Sequence, residues 1–186
     1  RTFSPLTTIG GGTVIDGITN QTWKQIKVYI KDIKNLKDSQ IKKYIIEAQK
    51  FKPLLYQESK IRFGLGNKQI GEFIESVDDI FCIDYKSKKW LLSDSQLRNC
   101  KNQLLKFLKS NKDKYDIGFS KSLIIQKTNG DNKFIDFLLD SLEKKDEVYK
   151  KNEKWIIKGE KITLNDSDRL LKNNLIKILD EEGFET

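Results

Sequence analysis

The sequence repeats at a fixed offset, and this repeat constrains the fold more than any other feature. A shift of 65 residues places Ile70 on Ile135, inside two segments with helical periodicity. The same shift places Trp90 on Trp155, each inside a short run of strand-forming residues. A common offset across a helical pattern and a strand pattern indicates two copies of one structural module.

The first copy is predicted to contain several helices followed by a β-hairpin. Apolar residues recur at helical spacing from Thr22, from Asp38, from Leu54 to a stop at Gly64, and over residues 67–77. The period then changes to that of strands over Ile80–Tyr85 and Trp90–Leu92, with the polar residues 86–89 between them. This change of period predicts a β-hairpin.

The second copy repeats this order. Ser93 and Gln96 have the spacing of a capping box and open a long helical pattern. A short helix is predicted around Ser120–Thr128, and Gly130 and Asp131 precede a third helix. Strand patterns at 148–149 and 155–157 predict a second hairpin, and residues 165–182 predict one more helix.

Three helices closed by a hairpin form the winged-helix arrangement. The sequence therefore predicts an α+β, mainly helical fold of tandem winged-helix domains, preceded by a short β segment. The expected boundaries are 1–17 for the β segment, 18–92 and 93–164 for the two winged domains, and 165–186 for the first helix of a third. Trp90 and Trp155 are expected to occupy the same place on the two wings and to anchor their cores, with base stacking as the alternative.

The charge of the chain favours an anionic partner. The 186 residues carry a formal net charge of +8, which favours contact with RNA, DNA or another anionic surface. Lysines collect on the first two predicted helices and on the predicted wing tips. We hypothesise that they make weak, sequence-independent contacts with ribosomal RNA or tRNA, the alternative being a solvated face. The candidate residues are Lys24, Lys27, Lys31, Lys34, Lys42, Lys43, Lys86, Lys88, Lys89, Lys150 and Lys151.

The third predicted helix of each module is poorly suited to reading DNA. Winged helices usually place this helix against the bases. Its polar face carries mainly carboxylates, which repel the phosphate backbone. The residues on these faces are Lys68, Glu72 and Glu75 in the first module and Lys133, Asp136, Asp140 and Glu143 in the second. This pattern argues against an ordinary transcription regulator.

Enzymatic and membrane functions find little support in the residues. The chain has no histidine, so it lacks a histidine general acid or base, and its two cysteines without histidine do not form a familiar zinc site. No apolar run approaches the ~18 residues of a membrane span. We expect no catalytic, cofactor-binding or metal-binding residue here, and a monomeric, cytoplasmic protein with no membrane partner.

The opening residues carry a resemblance to a known family. They place Ser4-Pro5, then Thr8-Ile9 with the triplet 10–12 of glycine, then a hydrophobic pair ending at Asp16. This order resembles the end of the elongation-factor-Tu-like region in bacterial selenocysteine-specific translation elongation factors, where a row of winged helices follows. The closing residues 179–185 resemble a helix end early in the third winged module of that family.

The resemblance implies that different regions of a longer protein carry different functions. Residues 1–17 would end the third β domain of the elongation-factor-Tu-like region, and the GTPase motifs, with their GTP and magnesium, would lie upstream. The winged module that binds the messenger-RNA hairpin would lie downstream. The present chain would link these parts without catalysis, and its partners through the full-length protein would be the ribosome, selenocysteyl-tRNA and the selenocysteine-insertion hairpin.

A stand-alone winged-helix regulator that binds nucleic acid remains the alternative function. The glycines at 10–12 do not favour a phosphate loop in either case, because no Lys-Ser/Thr pair follows them. Whether the reading frame extends upstream into a GTPase distinguishes the two functions.

Overall fold

A computed structural model describes residues 14–17, 22–111, 118–158 and 166–181. These residues form an α+β structure that is mainly helical, with eight α-helices and two small antiparallel sheets. They divide into two compact units. The first contains the described residues up to Cys100 together with Asn129–Phe134, and the second contains Lys101–Thr128 and the residues from Ile135 onward. The strands predicted within residues 1–13 lie outside the described residues.

The first unit contains four helices and one three-stranded sheet. Its elements are α1 (Trp23–Ile33), α2 (Asp38–Ala48), β1 (Leu54–Leu55), α3 (Tyr56–Phe63), α4 (Asn67–Ser76), β2 (Ile80–Tyr85) and β3 (Lys88–Ser93). The sheet has the order β1-β3-β2. Its core joins buried residues of all four helices to the sheet, including Ile33, Ile45, Phe63, Ile70 and Leu91.

The predicted elements of the first unit are confirmed except at the start of the third helix. The helix that was expected to begin at Leu54 begins at Tyr56 instead, because Leu54 and Leu55 form a strand that pairs with Leu91 and Trp90. The predicted stop of this helix at Gly64 is confirmed. Gly64 has a φ of +63°, the left-handed conformation that glycine adopts without steric cost.

The second unit contains the same order of elements without a counterpart of α1. Its elements are α5 (Asp94–Ser110), β4 (Phe119–Ser120), α6 (Lys121–Thr128), α7 (Asn132–Lys144), β5 (Val148–Lys151), β6 (Lys154–Ile157) and α8 (Asp166–Glu181), with the sheet order β4-β6-β5. The first residues of α5 and of α7 belong to the first unit. The capping role of Ser93 is confirmed, since its hydroxyl accepts a hydrogen bond from the Gln96 N–H at 3.0 Å.

The 65-residue repeat holds for the two helices that follow each short strand but not for the strand register. It maps both ends of α3 onto those of α6 and the first residue of α4 onto that of α7. In the first sheet the partner of Leu54 is Leu91, whereas in the second sheet the partner of Phe119 is Trp155. Leu54 and Phe119 are one repeat apart, but Leu91 and Trp155 are separated by one residue less. The register therefore slips by one residue.

This slip turns the two tryptophans to opposite faces of their sheets, because successive strand residues alternate in direction. Trp155 shares a face with buried Phe119, Val148 and Ile157. Trp90 lies on the face opposite Leu91, and its ring packs edge-on against Phe134 with 5.5 Å between centroids. The expectation that both tryptophans occupy the same place is wrong. Only Trp155 lies on the inner face of its sheet.

Candidate nucleic-acid interface

Lysines form a stripe along the exposed face of α1. Lys24, Lys27 and Lys31 are spaced three and four residues apart, which places them on one face of a helix, and Lys34 continues that spacing just past its end. All four side chains are exposed. From Lys24 to Lys31 the stripe spans about 10 Å along the helix axis. We call these four residues the α1 lysine stripe.

The opposite face of α1 holds the helix on the first unit. Ile33 is buried, and Tyr29 packs against the core and against the ring of Tyr44 at 5.7 Å. The one carboxylate of α1, that of Asp32, accepts a hydrogen bond from the Tyr44 hydroxyl at 2.9 Å. This bond raises the pKa of Tyr44. The acidic group of α1 is therefore hydrogen-bonded to α2, and the side chains of the stripe itself are all exposed lysines.

An ion pair with little exposure joins the segment 14–17 to α3. Two nitrogens of the Arg62 guanidinium donate to the two oxygens of Asp16, each at 2.7 Å, and the side chains are only 11% and 8% exposed. The Gly17 N–H donates to the Arg62 carbonyl oxygen at 2.8 Å. A Cβ at Gly17 would lie 3.3 Å from the carbonyl oxygens of Ile61 and Arg62. Asp16 and Gly17 are thus held against the end of α3.

A partly buried tyrosine, Tyr29, lies beside this ion pair. The Tyr29 hydroxyl is buried and has no hydrogen-bond partner among the residues that the structure describes. Burial, followed by the negative charge of Asp16, raises the pKa of Tyr29 to about 12. Sequence reasoning missed the Asp16–Arg62–Tyr29 group, because Asp16 and Arg62 are 46 residues apart and no local pattern joins them.

The two candidate lysines of α2 are engaged within the first unit. Lys42 is buried, forms an ion pair with Asp38 and lies 5.9 Å from the centre of the Phe73 ring. Lys43 forms an ion pair with Asp79, and this hydrogen bond raises the pKa of Lys43 and lowers that of Asp79. Both lysines already neutralise a carboxylate, so they add little to a phosphate-binding face.

The candidate lysines of the β2–β3 hairpin, the first hairpin, also contact this chain. Lys88 is 2.7 Å from the carboxylate of Asp131. The ammonium of Lys89 lies 4.8 Å from the centre of the Tyr56 ring and 4.0 Å from Asp84. The ammonium of Lys86 lies over the Tyr85 ring at 4.7 Å. The first hairpin is thus less available to phosphate than its sequence indicates.

The second hairpin, formed by β5 and β6, has a more exposed tip. Lys150 is 2.8 Å from Glu153, an exposed pair three residues apart, and Lys151 is exposed. Both hairpins turn through two residues with positive φ, which are Lys86 and Ser87 in the first and Asn152 and Glu153 in the second. This is the geometry of a type I′ turn.

The polar faces of α4 and α7 carry carboxylates, as the sequence predicts. On α4, exposed Lys68 and Glu72 pair at 3.7 Å and Glu75 is exposed. On α7, Asp136 accepts from Lys121 of α6 at 2.7 Å, and Glu143 is exposed. The Lys133 ammonium donates to the Lys86 carbonyl oxygen at 2.9 Å. These faces offer little positive charge to nucleic acid.

The helix α8 presents apolar side chains to solvent. Leu170, Leu171, Leu175 and Ile176 are each between 45% and 64% exposed. Among the helices of the described ranges, none combines the length and the apolar character that crossing a membrane requires. Nor do three or more Cys, Asp or Glu side chains of those ranges gather into a group that could hold a metal ion.

Comparison with known proteins finds no family model that matches this sequence and no curated protein that matches it.

Proposed function

We propose that this chain is a non-catalytic winged-helix segment of a selenocysteine-specific translation elongation factor. In such a factor it links the GTP- and tRNA-binding body to the tip that binds the messenger-RNA hairpin. It contacts RNA through phosphate groups without reading the bases. The ribosome, selenocysteyl-tRNA and the insertion hairpin are its partners through the full-length protein.

The order of elements supports the winged-helix assignment. In each unit a helix is followed by a two-residue strand, two more helices and an antiparallel hairpin, and the short strand pairs with the second strand of the hairpin. A helix-turn-helix closed by a β-wing has this order. The first unit has one helix more than this order requires. That helix is α1, which precedes the module and has no counterpart in the second unit.

The distribution of charge is the observation that carries the RNA-binding part of the proposal. The third helices of the modules, α4 and α7, present carboxylates where a base-reading helix presents lysine and arginine. Exposed lysines instead line α1, which lies outside the repeated module. A lysine stripe without side chains placed to contact bases neutralises phosphates and carries no sequence information.

The family assignment depends on the opening motif. It is tested by the gene sequence upstream of the codon for Arg1. We expect the reading frame upstream of Arg1 to encode a GTPase with a phosphate loop, followed by β domains. A start codon near Arg1, or an unrelated upstream domain, would contradict the assignment and favour a winged-helix regulator.

Binding to RNAs of unrelated sequence tests the contact itself. Three hairpins of equal length and different sequence should bind with affinities within about threefold of one another, because phosphate contacts are sequence-independent. A preference for one hairpin of 10³-fold or more, which is typical of specific recognition, would contradict the proposal.

A further inference from the structure

The outer face of the first hairpin, which carries Trp90, is covered by part of the same chain. Trp90 is only 1% exposed, although it points away from the inner face on which Leu91 joins the core of the first unit. The Phe134 ring meets it edge-on at 5.5 Å, and the Tyr85 ring stacks beside it at 6.2 Å. Aromatic clusters of this kind occur in protein cores and at protein–protein interfaces.

Polar contacts surround this aromatic cluster, and each pairs one residue of 129–134 with the body of the first unit. Lys88 donates to Asp131 at 2.7 Å, and the Asp131 N–H donates to the Phe51 carbonyl oxygen at 2.9 Å. Lys52 donates to Asn129 at 2.9 Å, and the ammonium of Lys133 donates to the Lys86 carbonyl oxygen at 2.9 Å. An apolar centre with a polar rim is the anatomy of a specific interface.

Asp131 joins this contact to the start of α7. One of its carboxylate oxygens accepts the N–H groups of Lys133 and Phe134, both at 3.0 Å, so Asp131 caps the helix. The other oxygen accepts from Lys88. Burial raises the pKa of Asp131, but the bonds to Lys88 and to the Phe134 N–H outweigh it, and the pKa is lowered overall. One ionised side chain thus both starts α7 and neutralises a lysine of the hairpin.

We propose that the outer face of the first hairpin is a protein-docking surface whose occupant is Asn129–Phe134 of this chain. Nucleic acid is excluded from that face. The carboxylate of Asp131 occupies the position beside Lys88 that a phosphate would need, and the Tyr85 and Phe134 rings cover Trp90, on which a base would have to stack. The exclusion of RNA rests on the proposed function, whereas the docking does not.

The docking is tested without RNA by hydrogen exchange in the full 186-residue chain. The Asp131 amide precedes α7, so its protection reports the bond to Phe51 rather than the helix. We expect it to exchange at least about fivefold more slowly than an unprotected amide, as a hydrogen bond of average net strength requires. Lys88→Gln should reduce this protection, and Lys144→Gln, an exposed lysine at the other end of α7, should not. An unprotected Asp131 amide in the unmodified chain would overturn the proposal.

The exclusion of RNA is tested by titrating a generic RNA hairpin into the ¹⁵N-labelled chain. The amide signals of α1 should shift and those of Lys86–Trp90 should not. Lys88→Gln should leave the affinity unchanged within about twofold, while Lys31→Gln should lower it about fivefold at 0.1 M salt, the loss expected for one phosphate contact. Shifts centred on the first hairpin, with weaker binding by Lys88→Gln, would overturn the exclusion. A chain that binds no RNA would contradict the proposed RNA contact and leave the docking to be judged by the exchange of Asp131.

Discussion

At the scale of single residues, two aspartate–arginine ion pairs of the molecule differ in burial. The Asp16–Arg62 pair has two parallel hydrogen bonds and little exposure, whereas the Asp94–Arg98 pair on α5 is exposed. The contribution of an ion pair to the free energy of unfolding depends strongly on its burial. An exposed pair contributes little, while removing one partner of a buried pair leaves an uncompensated charge.

We therefore expect Asp16→Asn to destabilise the first unit by about 3 kcal/mol, because it leaves the Arg62 charge buried without its partner. The control, Asp94→Asn, should cost at most about 0.5 kcal/mol. Urea denaturation followed by circular dichroism measures both. Equal effects of the two changes would show that the Asp16–Arg62 pair does not hold residues 14–17 on α3.

Tyr29 gives a second residue-scale prediction, at alkaline pH. Its pKa is raised from 10.0 to about 12, so the fold favours the neutral hydroxyl. The unfolded chain ionises first as pH rises above 10, and stability is lost between pH 10 and about 12. We expect Tyr29→Phe to remove this loss and to abolish the step near pH 12 in a spectrophotometric tyrosine titration. Tyr149→Phe is the control and should leave that step in place. If the step disappears in Tyr149→Phe and remains in Tyr29→Phe, the assignment of the raised pKa to Tyr29 is contradicted.

At the scale of elements, the two short strands β1 and β4 decide how each sheet is assembled. Each has only two residues, and each pairs with a strand more than 30 residues later in the chain. The one-residue difference in their register separates the environments of Trp90 and Trp155. Gly118, which precedes β4, has a φ of +95° and lies close to β6.

We expect Gly118→Ala to destabilise the second unit by about 2 kcal/mol or more. A Cβ there would lie 2.8 Å from Ile156 Cγ1 and 3.0 Å from the Trp155 carbonyl oxygen, in a backbone conformation that alanine rarely adopts. Gly71→Ala in α4 is the control, because a Cβ there meets nothing within 4 Å. It should stabilise the first unit by about 0.5–1 kcal/mol. Thermal unfolding of the two variants distinguishes these signs, and a neutral Gly118→Ala would contradict the close approach.

Helical elements could be predicted from the sequence, whereas the strands that begin each sheet could not. The periodicity of apolar residues identified α1, α2, α4 and α7, because the apolar residues of an amphipathic helix recur at helical spacing along the sequence. Leu54–Leu55 is too short to show alternation, and its strand conformation depends on pairing with Leu91 and Trp90. Such pairing is a tertiary effect that overrides local propensity.

At the scale of the whole molecule, the candidate interface could be predicted only in part. The spacing of Lys24, Lys27 and Lys31 already places them on one helix face. The partners of Lys43 and Lys88 could not be predicted, because Asp79 and Asp131 are 36 and 43 residues away in sequence. Positive charge in a sequence therefore overstates the positive surface. Five of the eleven candidate lysines form ion pairs with carboxylates of the described residues, namely Lys42, Lys43, Lys88, Lys89 and Lys150.

The salt dependence of RNA binding tests the central claim most directly, namely that the α1 lysine stripe contacts phosphates without reading sequence. The double variant Lys24→Gln/Lys31→Gln should lower the slope of log affinity against log salt by about 1.4–1.8, since each lost phosphate contact removes about 0.7–0.9. Lys144→Gln/Lys145→Gln removes the same charge beside Glu143 and Asp146 and should leave the slope unchanged. Equal slopes for all three proteins, or a salt-independent affinity, would contradict the claim.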